Sequence, residues 1–195
     1  GARGDSPLGA GRAGARAHGR SAAGEGGGSG LARGGDTAAH LAALPSGTIA
    51  VMAGGADVIY PSENTSLGKS IGEQGLILSE QPMGLPPQAR HFPKRNRIIA
   101  GLAQAVVVVE AAAKSGSLIT ARDALDLGRE VLAVPGHPFD ARASGCNMLI
   151  RHRAPLGRTP AHATAARPPL EQSAPPSSTS RPPAAPPDHA GRADI

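Results

Sequence analysis

Three cations and an amide stand beside a phenylalanine in His91-Phe92-Pro93-Lys94-Arg95-Asn96-Arg97, just ahead of the apolar run Ile98-Ile99-Ala100-Gly101-Leu102. A second polar cluster, Lys114-Ser115-Gly116-Ser117, precedes Leu118-Ile119-Thr120. Both patterns put cations and small polar residues where a helix is expected to open. Backbone N–H groups at a helix start carry partial positive charge and lack intrahelical partners, so with Arg and Lys nearby they bind anions. An aromatic among the cations adds a face on which a base can stack. The chemistry on offer is recognition of a phosphate-rich ligand, with nucleic acid the leading candidate. A plainer reading stands beside it: Asn96 and Ser115 cap helices, and the arginines face water.

These side chains need a scaffold, and the sequence describes one. Thr48 to Ala53, Gly75 to Ser79, Ala105 to Val109 and Glu130 to Val134 are short, continuously apolar runs. Continuous rather than alternating apolarity suits strands buried on both faces, as in a parallel sheet. Helix-length segments separate them: Asp36 to Leu44, Ser62 to Gln74, Arg95 to Gln104 and Ser117 to Leu127. Alternation of this kind predicts an α/β fold with a doubly wound, mostly parallel sheet. Gly54-Gly55, Ser79-Glu80, Glu110 to Ser117 and Pro135-Gly136 each follow a strand end, and ligands bind outside the carboxyl ends of such sheets. The polar turns are therefore expected to converge on one rim.

Composition divides the 195-residue chain into unequal parts. Gly, Ala, Arg, Pro and Ser dominate both ends, whereas residues 31–156 read as a packed domain. The net charge of +5 comes from those ends. Residues 31–150 hold ten Lys or Arg against ten Asp or Glu. The cluster Arg90, His91, Lys94, Arg95 and Arg97 is thus a better pointer to a polyanion than the overall basicity. A single cysteine, Cys146, excludes an internal disulfide and a cysteine-based zinc site. No apolar run approaches the roughly 18 residues of a membrane span. No leader pattern opens the chain, so a cytoplasmic protein is expected.

With these motifs in order, the chain resembles the DNA-processing protein A family, also called Smf, which binds single-stranded DNA in bacterial natural transformation. The matching segments are Ser29 to Gly34, Asp36 to His40, Ala53 to Pro61, Leu78-Ser79-Glu80, Phe92 to Leu102, Glu110-Ala111-Ala112, Lys114 to Ala121, Ala133 to Gly136 and Gly145 to Ile150. The resemblance implies a Rossmann-like domain that binds single-stranded DNA, forms homodimers and hands DNA to the RecA recombinase, with no reaction, cofactor or metal. It also implies that Arg33, Phe92, Arg95, Asn96, Arg97, Lys114, Ser115, Gly116 and Ser117 line the DNA pocket. Gly54 and Gly55 are added as candidate contacts, against the rival reading of a tight turn.

The chain departs from the family pattern at three places. Ala10 to Gly28 has no aliphatic side chain larger than Ala, so neither a core helix nor a strand is expected there. That stretch reads as translated out of frame, with the frame restored before Ser29 and the family's first strand missing. Gly35 replaces a β-branched helix anchor. Beyond Leu156, Pro168 to Pro187 is rich in Pro, Ser and Ala and cannot bury a core. The expected organisation is a degraded or disordered segment 1–28, a Rossmann-like domain 29–156 incomplete at its N-terminal side, and a disordered tail 157–195.

The remaining polar residues have structural expectations. Arg33 sits among small residues and is read as a phosphate contact. Asp36 and His40, one turn apart, tie their helix to the sheet or to each other rather than hold a metal. Cys146 is expected to be a small buried residue, and Tyr60 to pack the turn before Pro61. Glu80 and Glu110 are expected to brace loops. Two other function classes stay open. A phosphoribohydrolase-like enzyme would need a Glu in the turn after the Ser115 loop, and none is there. The other is a non-functional fragment.

Overall fold

The computed structural model describes residues 26–152 and Ala154. Residues 1–25, which include most of the segment 10–28 read as out of frame, and the tail 157–195 lie outside the described residues. Five strands are present: β1 (Gly27–Ser29), β2 (Thr48–Val51), β3 (Leu76–Leu78), β4 (Ala105–Val108) and β5 (Glu130–Ala133). Among the described residues four helices join them, α1 (Gly35–Ala43), α2 (Thr65–Gln74), α3 (His91–Leu102) and α4 (Gly116–Asp126), and α5 (Ser144–Arg151) follows β5. Short 3-10 turns cover Leu44–Ser46, Ser62–Asn64 and Ala141–Ala143.

All pairings are parallel, as the continuous apolar runs predict. Among the described residues they form two short sheets, one in the order β1-β2-β3 and one pairing β4 with β5. Each sheet has its own core. Leu31, Ala50, Met52, Leu67 and Ile71 fill the first. Val108, Ala111, Ala121, Ala124, Val131, Ala133 and Cys146 fill the second, with Ala100 of α3 packed among them. Burial of Cys146 matches its expected role and pushes its thiol pKa up to about 11.

Three elements differ from the sequence-based expectation. The strand β1 contains Gly27 and Gly28, inside the segment from which no strand was expected. It forms through its backbone instead of aliphatic side chains. Its residues pair with Thr48, Ile49 and Ala50, and the Thr48 hydroxyl donates to the Gly27 carbonyl at 2.8 Å. Second, α3 opens at His91, four residues before Arg95. Pro93 is compatible because N–H groups of a first turn have no intrahelical acceptor. Third, α5 occupies Ser144–Arg151, a span not assigned to any element above.

Candidate nucleic-acid interface

The loop after β1 is fixed from three sides. Asp36, in the first turn of α1, accepts from the Gly30 N–H at 3.2 Å and the Ala32 N–H at 3.1 Å. Between them Leu31 has φ +56°, a left-handed conformation that costs a side-chain-bearing residue about 1–2 kcal/mol. Its side chain is fully buried, and the Asn64 amide donates to its carbonyl at 2.9 Å. From α3, the Arg95 guanidinium donates to the Gly30 carbonyl at 2.7 Å and also to the Val51 carbonyl at the end of β2. A methyl group on Gly30 would fall inside that guanidinium, so glycine is required for the arginine to pass. Asp36 and His40 do tie α1 down. His40 is buried, with Nδ1 at 2.8 Å from the Thr48 hydroxyl. No cluster of potential metal ligands occurs among the described residues.

This geometry reassigns Arg95. It is 4% exposed and donates to two backbone carbonyls, so its guanidinium is used inside the fold rather than presented on the surface. Burial pulls its pKa below the usual arginine value, and Asp36 pushes it back up. Asn96 is likewise buried. It accepts from Arg95 Nε at 3.1 Å and donates to the Gly116 carbonyl at 3.4 Å. The reason is helical phase: His91, Arg95, Asn96 and Ala100 share the inward face of α3, while Lys94 and Arg97 point out. Arg95 and Asn96 thus hold the β1 and β2 loops and the start of α4 to one helix.

Gly54 and Gly55 are also placed differently from a ligand contact. Both are buried beneath the 82–87 loop. The Gly55 N–H donates to the Leu85 carbonyl at 2.8 Å. A Cβ on Gly54 would sit 2.7 Å from the Leu85 oxygen, and one on Gly55 2.6 Å from the Pro82 oxygen. The close approach that these glycines permit is of chain to chain.

The other candidates stay on the surface. Arg33 pairs with Glu63 at 2.6 Å, and Arg97 pairs with Glu80; all four groups are exposed. Arg97 also borders an open groove with Leu78, Ile98, Leu102 and Leu127. Lys114 is exposed in the loop between β4 and α4. Ser115 stands at the N-cap of α4, but its Oγ is buried without a hydrogen-bond partner. Gly116 and Ser117 begin the helix half-buried. Phe92 is half-buried, with Arg95 5.8 Å from its ring centroid and Tyr60 edge-on at 6.1 Å.

Two rings escaped the sequence reading as candidates. Tyr60 was given only a packing role, yet it is half exposed beside Phe92. Phe139, in the loop after β5, was given none. Their scarcity was the available signal: the chain has two Phe, one Tyr and no Trp. Glu110 meets Arg142 of the 141–143 turn at 3.6 Å, and Glu80 meets Arg97 of α3.

Comparison with known proteins adds the family. Residues 1–166 match the model of DNA recombination-mediator protein A. The chain is 52% identical over 130 residues to the DNA processing protein DprA of Streptococcus pneumoniae, covering 66% of this chain and 46% of that one. It is 49% identical over 135 residues to the Smf protein of Escherichia coli, covering 68% and 36%. The chain thus spans less than half the length of these relatives. Among solved structures, DNA processing protein A from S. pneumoniae superposes with a TM-score of 0.80 at 42% identity, covering 86% of this chain and 60% of the other. The Helicobacter pylori protein, whose structure is described for its single-stranded DNA binding mode, superposes at 0.75 with 28% identity, covering 85% and 76%. The fold is Rossmann-like, and the chain belongs to the DNA recombination-mediator protein A family.

Proposed function

We propose that this chain binds single-stranded DNA along the rim formed by the loops after its strands. The observation that carries the reading is the division of labour on α3. Arg95 and Asn96 face inward and fix the loops, while Lys94 and Arg97 face out beside half-buried Phe92. Arg33 and Lys114 add cations on neighbouring loops, and the start of α4 adds backbone N–H groups. Cations for phosphates beside an aromatic for a base are the components of a single-strand site. The solved relative from H. pylori is described as a single-strand binder, which supports the same ligand here. The role is binding rather than catalysis: α4 carries no acid in its first turn, where a phosphoribohydrolase-like enzyme would need one. Handover to RecA, homodimer formation and action in DNA uptake follow from the family and belong to this proposal.

The test is an oligonucleotide titration at several salt concentrations. Single strand should bind more tightly than duplex, since a duplex hides its base faces, and affinity should fall with salt. Arg97→Ala and Lys114→Ala should each weaken binding and reduce the salt slope by about one. Phe92→Ala should weaken binding with little change of slope. Equal affinity for duplex and single strand would reduce the rim to a nonspecific basic surface. A chain that melts broadly and binds nothing would be a non-functional fragment.

A further inference from the structure

Phe139 is 93% exposed, the most exposed large apolar side chain among the described residues. It has no part in either core. Its loop is nevertheless firmly built. The Gly136 N–H donates to Asn147 Oδ1 and the Asn147 amide donates back to the Gly136 carbonyl, both at 3.2 Å. The Asp140 N–H donates to the His137 carbonyl at 3.0 Å, and the Phe139 N–H reaches His137 Nδ1 at 3.3 Å. Asp140 caps the following 3-10 turn by accepting from the Arg142 N–H at 3.0 Å. The His137 ring stands 5.7 Å from the Phe139 ring, tilted by 46°. A ring held in water by an ordered turn has already lost much of the backbone freedom that binding would otherwise remove.

The position of the loop points to the occupant. β5 pairs with β4 as far as Val108 and Ala133, so the loop after β5 and the loop that leads to Lys114 leave neighbouring strand ends, about 4.8 Å apart. Arg142 crosses between the two loops to Glu110. Arg142 and Lys114 balance the charges of Asp140 and Glu110, so a polyanion meets no net negative charge from these four. His137 stands beside the ring, the polar Asp140 and Arg142 follow it in the chain, and the ring is packed against neither core, unlike the apolar patch a protein partner covers. A lone ring among polar groups suits one flat, π-faced ligand at the edge of a phosphate-binding rim. We propose that Phe139 is a second stacking platform, taking a nucleobase of the same single strand beyond Lys114. This rests on the single-strand reading above and extends the site from α3 across to the end of β5.

The absence of tryptophan makes the test direct. Phe139→Trp in the full chain introduces a unique indole whose fluorescence should be quenched as oligo-dT is added. Anisotropy of an end-labelled oligonucleotide reports total binding in parallel. Phe139→Ala should weaken a long oligo-dT about tenfold at unchanged salt slope. It should leave a short one, held by Phe92 and the cations alone, unaffected. Circular dichroism matching the parent confirms that each variant folds. If the parent binds no oligonucleotide, both readings fall. If it binds, yet the indole is silent and Phe139→Ala binds the long strand as the parent does, only the second platform falls. A change of sedimentation in Phe139→Ala without a change in DNA affinity would make the ring a protein contact and overturn the proposal.

Discussion

Arg95→Ala should unfold the rim before it weakens any DNA contact. The substitution leaves the carbonyls of Gly30 and Val51 and the Asn96 side-chain oxygen without their donors, and removes a cation that interacts with buried Asp36. A hydrogen bond to a charged group is worth about 1.5–3 kcal/mol, and breaking a buried charged network costs about 3–5 kcal/mol. At roughly 2.1 cal/mol/K per residue, unfolding 127 residues carries about 0.27 kcal/mol/K, so the melting temperature should drop by about 10–20 °C. Gly30→Ala should do much the same, because its methyl would occupy the guanidinium position. Both substitutions break one interaction, so the double variant should lose clearly less than the sum. The assay is thermal and urea unfolding followed by circular dichroism, with DNA titration of whatever remains folded. Arg95→Ala that melts within about two degrees of the parent but loses DNA affinity would refute the argument and return Arg95 to the binding surface.

Other outcomes follow from the same geometry. Arg97 and Arg33 must exchange a carboxylate for a phosphate when DNA arrives, so Glu80→Gln or Glu63→Gln should tighten single-strand binding roughly two- to fivefold, read by anisotropy. Burial lowers the His40 pKa below 6.5, Arg95 lowers it further and Asp36 opposes both; the ring is therefore neutral in the fold. Stability should be level above about pH 6.5 and fall as pH drops below it, because the unfolded chain takes the proton first, and His40→Gln should flatten that decline in urea titrations. Cys146 should ignore a thiol reagent at pH 8 until the protein is unfolded, since burial holds its pKa near 11. Gly55→Ala should cost about 1–3 kcal/mol by displacing the 82–87 loop, measured by urea unfolding.

Much of the scaffold could be read from the sequence because parallel strands buried on both faces leave unbroken apolar runs. β2, β3, β4 and β5 are visible for that reason. β1 is not, since Gly27 and Gly28 have no side chain to register and the strand exists only through pairing with β2. The cations were visible as a cluster, but their direction was not. A guanidinium on a helix reads the same in sequence whether it meets solvent, as Arg97 does, or two carbonyls, as Arg95 does. The phase of α3 held a clue in His91, Arg95, Asn96 and Ala100, spaced as one helical face. The tight fit of Arg95 against Gly30, 65 residues away, left no local trace. Gly54 and Gly55 are ambiguous in sequence for a related reason: a close approach demands glycine whether the approaching group is a ligand or another loop, and here the 82–87 loop approaches.

The inward face of α3 also gives the protein a ruler. Arg97 lies only two residues beyond Arg95, whose guanidinium is fastened to the ends of both β1 and β2, and one beyond Asn96, which reaches the first residue of α4. The outward cation therefore inherits its position from three loops at once, in addition to its pairing with Glu80. Lengthening any one of those loops by a residue would shift the spacing between cations on the surface even where every surface residue is kept. Natural variation in how far apart such a rim grips its ligand is thus to be sought in the length of buried turns, not in the identity of exposed charges.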